Sequence, residues 1–206
     1  MKLFLSSYQL GDNPEKLASL TFSNKKIAVI ANASDFKPLE EREQKVKEEF
    51  DSLIEIGLLP EELDLRDYFG KQQDLKKILN QFGLVWVKGG NTFILRRAFA
   101  QSGFDKLLIE KISDSDFIYA GYSAGSCVIT PTLKGLELVD DPNAIPQGYN
   151  PEIIWEGLGF VDYCIAPHFK SNHPESEMVD ETVEYFKKNN LPYKTLRDGE
   201  VITTEI

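Results

Sequence analysis

Cysteine and histidine are scarce in this sequence, which has two of each among its 206 residues. Cys127 and Cys164 lie in apolar stretches, so we interpret them as small buried hydrophobic residues and not as a disulfide framework. This cysteine usage is typical of a reducing compartment, and we expect a cytoplasmic protein. The two histidines are His168 and His173, and no further histidine offers the spacing of a metal-ligand set. The sequence therefore predicts neither a bound metal nor a cofactor.

Long hydrophobic runs and basic clusters are also missing. No stretch approaches the ~20 apolar residues that span a bilayer, and the apolar run at residues 3–5 is too short for the core of a secretory signal. The formal net charge is -10, and no cluster of lysine and arginine is large enough to form a phosphate-binding face. We therefore expect a soluble protein that binds neither nucleic acid nor a membrane. The sequence favours neither a monomer nor a homodimer.

The sequence does contain a regular alternation of short apolar runs and helical periods. Residues 26–31 form a continuous apolar run of the kind found in buried parallel strands, and residues 39–56 repeat apolar positions at helical spacing. The predicted strands span residues 2–6, 26–31, 62–65, 84–87, 117–120 and 161–166, with a final hairpin formed by residues 193–196 and 201–204. The predicted helices span residues 39–56, 74–80, 124–129 and 175–189, with two more between Asn91 and Ile112 that are separated at Gly103.

Strands separated by helices predict an α/β fold with a mainly parallel sheet and helices on both faces. Residues 133–159 are rich in turn-forming residues and are expected to form a long irregular excursion. We find no internal repeat, low-complexity tract or linker in the sequence. The chain is therefore predicted to be a single domain that spans residues 1–206.

Ser123 lies in the stretch Gly121-Tyr122-Ser123-Ala124-Gly125, which follows a predicted strand and precedes a predicted helix. A sharp strand-to-helix turn strains the backbone of its serine and lifts the hydroxyl above the carboxyl edge of the sheet. The same turn places the N–H of Ala124 beside the reacting oxygen, at the start of a helix. This context predicts that Ser123 is a hydrolase nucleophile. The alternative is a tight glycine-rich turn with an ordinary serine.

A second glycine turn, Gly89-Gly90-Asn91, follows the predicted strand at residues 84–87. Glycines let backbone amides approach a ligand closely, and Asn91 can cap the helix that follows. We expect the N–H of Gly89 or Gly90 to be a second oxyanion donor opposite Ala124, and Gly89 and Asn91 to contact the substrate. The alternative is a plain strand-to-helix turn.

His168 is the preferred candidate for the base that a serine nucleophile needs. It follows the predicted strand at residues 161–166, and active sites of α/β proteins form at the carboxyl ends of strands. His173 lies a few residues further on, in a polar loop, and is the second choice. The third catalytic group should be a carboxylate that orients the imidazole. The acidic residues in suitable regions are Asp198, Glu137, Asp140 and Asp141, and a dyad without a carboxylate also stays open.

Taken in order, these motifs resemble peptidase family S51, the family of aspartyl dipeptidase (dipeptidase E), with cyanophycinase as a more distant relative. The segments that carry the resemblance are Gly89-Gly90-Asn91-Thr92-Phe93, Gly121-Tyr122-Ser123-Ala124-Gly125-Ser126, Pro131-Thr132, Val139-Asp140-Asp141-Pro142-Asn143 and Pro167-His168-Phe169. The resemblance implies a class I glutamine-amidotransferase-like fold, a flavodoxin-like three-layer sandwich with a serine where the amidotransferases have a cysteine.

The resemblance also implies roles for individual residues. Ser123 would be the nucleophile, His168 the base, and the backbone amides of Gly90 and Ala124 the oxyanion hole. Of the two acidic positions favoured in the dipeptidase, the late one is followed by glycine and matches Asp198. The earlier one falls near Glu137 and needs a gap in the alignment. Asp198 is therefore ranked first and Glu137 second.

The chain departs from the aspartyl dipeptidase pattern after its histidine. The dipeptidase has a Thr-Arg-Glu-type segment there that suits an acidic substrate side chain, whereas residues 173–178 of this chain offer no arginine. We therefore expect a serine peptidase that acts on small peptides through an acyl-enzyme and is not strictly specific for Asp-X dipeptides. The alternatives are an esterase or amidase that uses the same site, and a non-catalytic binding protein with this fold.

Overall fold

The computed structural model of the chain describes residues 1–21 and 25–206. The strands are β1 (Lys2–Ser6), β2 (Lys26–Ile30), β3 (Leu59–Glu62), β4 (Leu84–Val87), β5 (Ile118–Tyr122), β6 (Cys164–Ala166), β7 (Tyr193–Thr195) and β8 (Val201–Glu205). The α-helices are α1 (Glu15–Leu20), α2 (Leu39–Glu55), α3 (Gln72–Leu79), α4 (Thr92–Ser102), α5 (Phe104–Lys111), α6 (Ala124–Cys127) and α7 (Ser176–Lys188). Among these described helices, none is long and apolar enough to cross a bilayer.

Six strands form the central sheet, in the order β3-β2-β4-β5-β1-β8. The first five run parallel to one another, and β8 pairs antiparallel with β1 at one edge. Strands β6 and β7 form a separate two-stranded parallel sheet. The predicted mainly parallel α/β architecture is therefore confirmed.

Both faces of the central sheet are covered, because successive strand residues point to opposite sides. Strand β4 shows this alternation. Val85 and Val87 belong to one core cluster, which includes residues of α3, α4 and α5. Leu84 and Trp86 belong to a second cluster on the other face, with Leu53 of α2. Helices therefore lie on both faces, as predicted, and the sheet is buried between them.

Three predicted element boundaries are wrong. The third strand, β3, spans Leu59–Glu62 and not residues 62–65. Residues 65–68 form a 3-10 turn. The side chain of Asp64 caps this turn by accepting from the N–H of Arg66. Gly121 does not end β5, because it stays in register with Leu5 on β1. Helix α6 ends at Cys127 and does not reach residue 129, since the Thr130 hydroxyl and N–H both bond to the Cys127 carbonyl.

The predicted final hairpin is also wrong. Strand β7 pairs with β6, and β8 pairs with β1, so the two strands belong to different sheets. The predicted strand at residues 161–166 is likewise reduced to β6. Residues 197–200 form a turn, as predicted, but this turn connects two different sheets and does not join the strands of a hairpin. That connection carries Asp198 to the carboxyl edge of β1, where the Asp198 carboxylate meets Ser7.

Candidate active site

The carboxyl ends of β4, β5 and β1 lie side by side, since these strands are neighbours in the sheet. The chain leaves β4 at Lys88, β5 at Ser123 and β1 at Ser7. His168, which follows β6, is attached to this edge because its N–H donates to the Ser7 hydroxyl at 2.8 Å. The tertiary structure therefore brings the predicted serine and histidine to one edge of the central sheet.

Ser123 has the strained backbone that its sequence context predicts. Its φ of 48° and ψ of -115° lie in a region that side-chain-bearing residues rarely occupy. The N–H of Ser123 is shared between the carbonyls of Ser6 and Ser7, at 3.3 and 3.2 Å, which fixes the turn against β1. The Ser123 side chain is half-buried, and its hydroxyl has no hydrogen-bond partner within the described ranges. It is therefore free to meet a ligand.

The two glycines that flank Ser123 are required by close backbone contacts. A Cβ on Gly125 would lie 2.3 Å from the carbonyl oxygen of Val87, and a Cβ on Gly121 would lie 3.0 Å from the same atom. The carbonyl of Gly125 also accepts from the Tyr119 hydroxyl at 2.7 Å. These contacts hold the turn against β4, so the motif reflects packing as well as chemistry.

The Gly89-Gly90 turn lies directly beside the serine. A Cβ on Gly89 would be 3.1 Å from the Cβ of Ser123, so only glycine lets β4 and β5 approach this closely. Gly90 has a φ of 144°, and its N–H has no backbone acceptor in the described part of the chain. Ala124 is the first residue of α6, so its N–H has no acceptor within that helix. Within the described ranges neither N–H group has a hydrogen-bond acceptor, and both belong to turns that adjoin Ser123.

Asn91 has a structural role in this turn. Its side-chain oxygen caps α4 by accepting from the N–H groups of Phe93 and Ile94, at 2.9 and 3.0 Å. Its amide nitrogen donates to the carbonyl of Asp141 at 2.8 Å. Both ends of the Asn91 amide are therefore occupied, whereas Gly89 and Gly90 line the same cleft as Ser123.

His168 and Asp198 are in direct contact at this edge. The Nδ1 atom of His168 lies 2.7 Å from Oδ1 of Asp198. The Ser7 hydroxyl donates to the same Oδ1 at 2.9 Å, and the Asp198 N–H donates to the Ser171 hydroxyl at 2.8 Å. This arrangement fixes the imidazole ring and leaves its Nε2 directed away from the carboxylate.

Burial controls the protonation of this histidine. The loss of solvent lowers the pKa of His168 below its ordinary value, and the hydrogen bond to Asp198 opposes that change. The neighbouring His173 lowers the His168 pKa further. His168 is therefore neutral near pH 7 and can accept a proton at Nε2.

His173 is closer to His168 than its loop position in the sequence indicates. The two rings stack with their centroids 3.7 Å apart and an angle of 9° between their planes. The Tyr8 ring contacts the edges of both imidazoles. Glu175 completes the group, with its carboxylate 4.0 Å from Nε2 of His168. Burial raises the pKa of Glu175, and the charge of Asp198 adds to this effect.

The donor atoms of His168, His173 and Glu175 lie within 4.8 Å of one another, a set that the sequence analysis did not anticipate as metal ligands. An imidazole binds a metal through a lone pair in the plane of its ring. Two parallel stacked rings therefore cannot both direct a nitrogen at one ion unless one of them turns. The arrangement fits ring stacking better than metal binding.

The other acidic candidates lie elsewhere. The carboxylate of Glu137 accepts from the N–H of Gly135 at 2.5 Å, and that of Asp141 accepts from the N–H of Asn143 at 2.8 Å. Asp140 accepts from the N–H of Thr92 at 2.9 Å. Burial raises the pKa of Asp140 to about 7. Among the described contacts, none joins these three carboxylates to His168.

Ser123 and His168 line one cleft of about 250 Å³. Sequence reasoning missed two of the groups around it. Ser7 links the backbone of His168 to Asp198, and its position directly after β1 was the available signal. Lys88 precedes the Gly89-Gly90 turn and is 8% exposed. Its position directly after β4 was the available signal.

Comparisons with known proteins identify the family of the chain. The family model of Peptidase family S51 matches residues 7–205. An uncharacterized peptidase of Listeria innocua is 30% identical over 159 residues, which cover 74% of this chain and 72% of that protein. Peptidase E of Streptomyces coelicolor is 30% identical over 132 residues, which cover 62% of this chain and 51% of that protein.

A solved structure extends the similarity to the fold. A protein of Listeria monocytogenes EGD-e, provisionally named peptidase E, has a crystal structure that matches with a TM-score of 0.74 and 25% sequence identity. The match covers 100% of this chain and 98% of that one. The resemblance drawn from the ordered motifs is thereby confirmed, and with it a peptidase on a three-layer α/β fold. The chain belongs to peptidase family S51.

Proposed function

We propose that this chain is a serine peptidase that hydrolyses small peptides, with Ser123 as nucleophile, His168 as base and Asp198 as the group that orients the base. The observation that carries the proposal is the 2.7 Å contact between His168 Nδ1 and Asp198 Oδ1 on the edge where Ser123 has its strained turn. The same contact supports Asp198 over Glu137 as the third member. Membership of a peptidase family supports the choice of a peptide as substrate.

The chemistry follows from the arrangement of donors and acceptors. His168 donates through Nδ1 to Asp198, so its Nε2 can take the proton of Ser123 as the serine oxygen attacks the scissile carbonyl. The unpaired N–H groups of Gly90 and Ala124 would stabilise the negative oxygen that forms. The proton then passes to the leaving amine, and a water activated by His168 hydrolyses the acyl-enzyme.

A fluorophosphonate probe tests the nucleophile directly, because it reacts with activated serines. We expect the wild-type protein to be labelled at Ser123, and labelling to be lost in Ser123→Ala and in His168→Ala. Ser52→Ala is the matched control, since Ser52 lines the same cleft and its hydroxyl donates to the Glu48 carbonyl at 3.1 Å. Labelling of Ser123→Ala at the wild-type level would contradict the proposal.

A substrate panel separates peptidase from esterase activity. Dipeptides, longer peptides and activated esters are compared with the wild-type protein and Ser123→Ala, with circular dichroism as the check of folding. We expect turnover of small peptides that falls by at least ~10³-fold in Ser123→Ala. Turnover of esters with no peptide hydrolysed would favour the esterase instead. Folded protein that is neither labelled nor active would favour a binding protein.

A further inference from the structure

Lys88 carries a buried positive charge in the cleft. Its side chain is 8% exposed and lines the same cleft as Ser123. The Nζ atom donates to the Ser34 hydroxyl at 3.2 Å and to the Gly89 carbonyl at 3.3 Å. Neither partner is charged, and the ion pairs among residues 1–21 and 25–206 do not include Lys88. An ammonium has three N–H donors, so one remains for a ligand.

The other two lysines of the cleft are different. Lys37 pairs with Glu41, and Lys45 pairs with Glu48 at 2.8 Å. Both lie on or beside the outer face of α2 and are more exposed than Lys88. Lys88 thus combines deep burial with the lack of a carboxylate in contact. Buried charges are normally paired, so this combination points to a partner from outside the chain.

The surrounding charges do not neutralise Lys88 by contact. The acidic residue with the largest effect on Lys88 is Glu49, whose oxygens accept from Trp86 Nε1 at 2.7 Å and from the Tyr122 hydroxyl at 2.9 Å. Burial raises the pKa of Glu49 above its ordinary value. Burial also lowers the pKa of Lys88; the charge of Glu49 opposes this change, while Lys37, Lys45 and Arg42 reinforce it. A bound anion would supply the negative charge that the buried ammonium of Lys88 lacks in direct contact.

The sheet order fixes where this cation lies relative to the nucleophile. Strand β5 lies between β4 and β1, so Lys88 and His168 are on opposite sides of Ser123. Neighbouring strands are about 4.8 Å apart. The ammonium is tethered to the Gly89 carbonyl in the turn that adjoins Ser123. A peptide bound over Ser123 would therefore bring its polar ends within reach of Lys88.

We propose that Lys88 is a specificity-determining residue that binds a carboxylate of a short peptide. The inference rests on the proposed peptidase function. Because the segment after His168 has no arginine, the sequence predicted no strict specificity for an acidic residue. In the structure, Lys88 at the end of β4 provides a cation in the cleft instead. The carboxylate could come from an acidic side chain or from the free C-terminus, because both present the same planar anion.

The test measures binding without hydrolysis. Calorimetry on Ser123→Ala gives the Kd of four dipeptides: Ala-Ala, Ala-Ala amide, Asp-Ala amide and Asn-Ala amide. The first pair isolates the C-terminal carboxylate, and the second isolates the side-chain carboxylate. We expect a tenfold to hundredfold preference, of the order given by a hydrogen bond to a charged group, for the acid in one pair.

The second protein in the test is Ser123→Ala/Lys88→Met, which keeps the unbranched shape of the side chain and removes the terminal ammonium with its charge. We expect the acid-to-amide ratio of the responsive pair to fall to about one, while the Kd of the neutral peptide changes by less than about threefold. Lys88→Arg in place of Lys88→Met should retain part of the preference. Lys45→Met is the control, since Lys45 already has a carboxylate partner, and the ratio should not change.

Two results would overturn the assignment of Lys88. One is an acid-to-amide ratio near one, or no measurable binding, in folded Ser123→Ala; the other is a preference that survives Lys88→Met. A failure of the peptidase proposal would give a different experimental result from a failure of the Lys88 assignment. In that case the wild-type protein would show the carboxylate preference in binding but would neither hydrolyse the peptides nor react with the fluorophosphonate. If Lys88→Met does not fold, Lys88→Gln and the Lys88→Arg series give the same comparison.

Discussion

The substitution Asp198→Asn tests the orientation of the base most sharply. Both side-chain bonds to Asp198 fall on one oxygen, since His168 Nδ1 is 2.7 Å and the Ser7 hydroxyl 2.9 Å from Oδ1. An asparagine can place its own oxygen there and direct its amide nitrogen to the position of Oδ2. The proton would then stay on Nδ1 of His168, so the imidazole keeps the tautomer that leaves Nε2 free.

What the substitution removes is the negative charge. A hydrogen bond to a charged acceptor contributes ~1.5–3 kcal/mol, and one between neutral groups ~0.5–1.5 kcal/mol. Each of the two bonds to Oδ1 therefore loses ~1–1.5 kcal/mol, and both together lose ~2–3 kcal/mol. At ~1.36 kcal/mol per tenfold change in rate, this predicts a decrease in kcat/KM of between ~10-fold and ~100-fold. A substitution that forces the wrong tautomer decreases kcat by ~10⁴-fold in a trypsin-type triad. The two interpretations therefore differ by at least ~100-fold.

The pH profile provides a second measurement of the same variant. Burial lowers the pKa of His168, and the contact with Asp198 opposes this shift. Without the aspartate charge the pKa of His168 falls further. Since the neutral imidazole is the active form, the acid limb of kcat/KM should move to lower pH in Asp198→Asn. Asp12→Asn is the matched control, because the Asp12 N–H bonds to the Gly199 carbonyl of the same turn at 2.9 Å.

Steady-state hydrolysis of the best dipeptide from pH 5 to 9 measures both effects, with melting curves to show that the variants are folded. A decrease of ~10⁴-fold in Asp198→Asn would refute the argument that the tautomer is preserved. A decrease of less than about threefold, or an acid limb that does not move, would refute the role of the Asp198 charge. Asp12→Asn should match the wild-type profile.

Three further predictions concern the frame of the site. In Gly125→Ala the new Cβ would lie 2.3 Å from the Val87 carbonyl oxygen, so denaturant unfolding should show a loss of at least ~2 kcal/mol, and an unchanged midpoint would contradict this. Burial raises the pKa of Asp140 from 3.8 to about 7 in the folded state, so wild-type stability should fall as pH rises through that range. Asp140→Asn keeps an acceptor for the Thr92 N–H and should flatten the decrease in Tm between pH 5 and 8; equal slopes would exclude this titration. Glu137→Gln should leave kcat/KM within about twofold, and a large decrease would reopen Glu137 as the third catalytic member.

The sequence predicted most of the central architecture because its signals are local. Strands β1 and β4 have the bounds predicted for them, and α2 matches its predicted bounds to within one residue. The edge strand β3 was predicted three residues too late in the sequence, because it is mostly exposed and lacks a continuous apolar run. Strands β7 and β8 were located, but their partners were not, since the pairing of strands depends on contacts that the local pattern does not encode.

The same division applies to the site. The sequence by itself was enough to propose Ser123 and His168 as candidates, because glycine spacing and strand ends are properties of short segments. Only the tertiary structure shows that Asp198, and not Glu137, contacts His168, since the distance from an imidazole to a carboxylate 30 residues away depends on how two sheets meet. It alone also brought Ser7 to His168 across 161 residues of chain, stacked the two histidines and buried Lys88 in the cleft that Ser123 lines. A local pattern fixes which residues can react, but packing over long sequence separations fixes which of them meet.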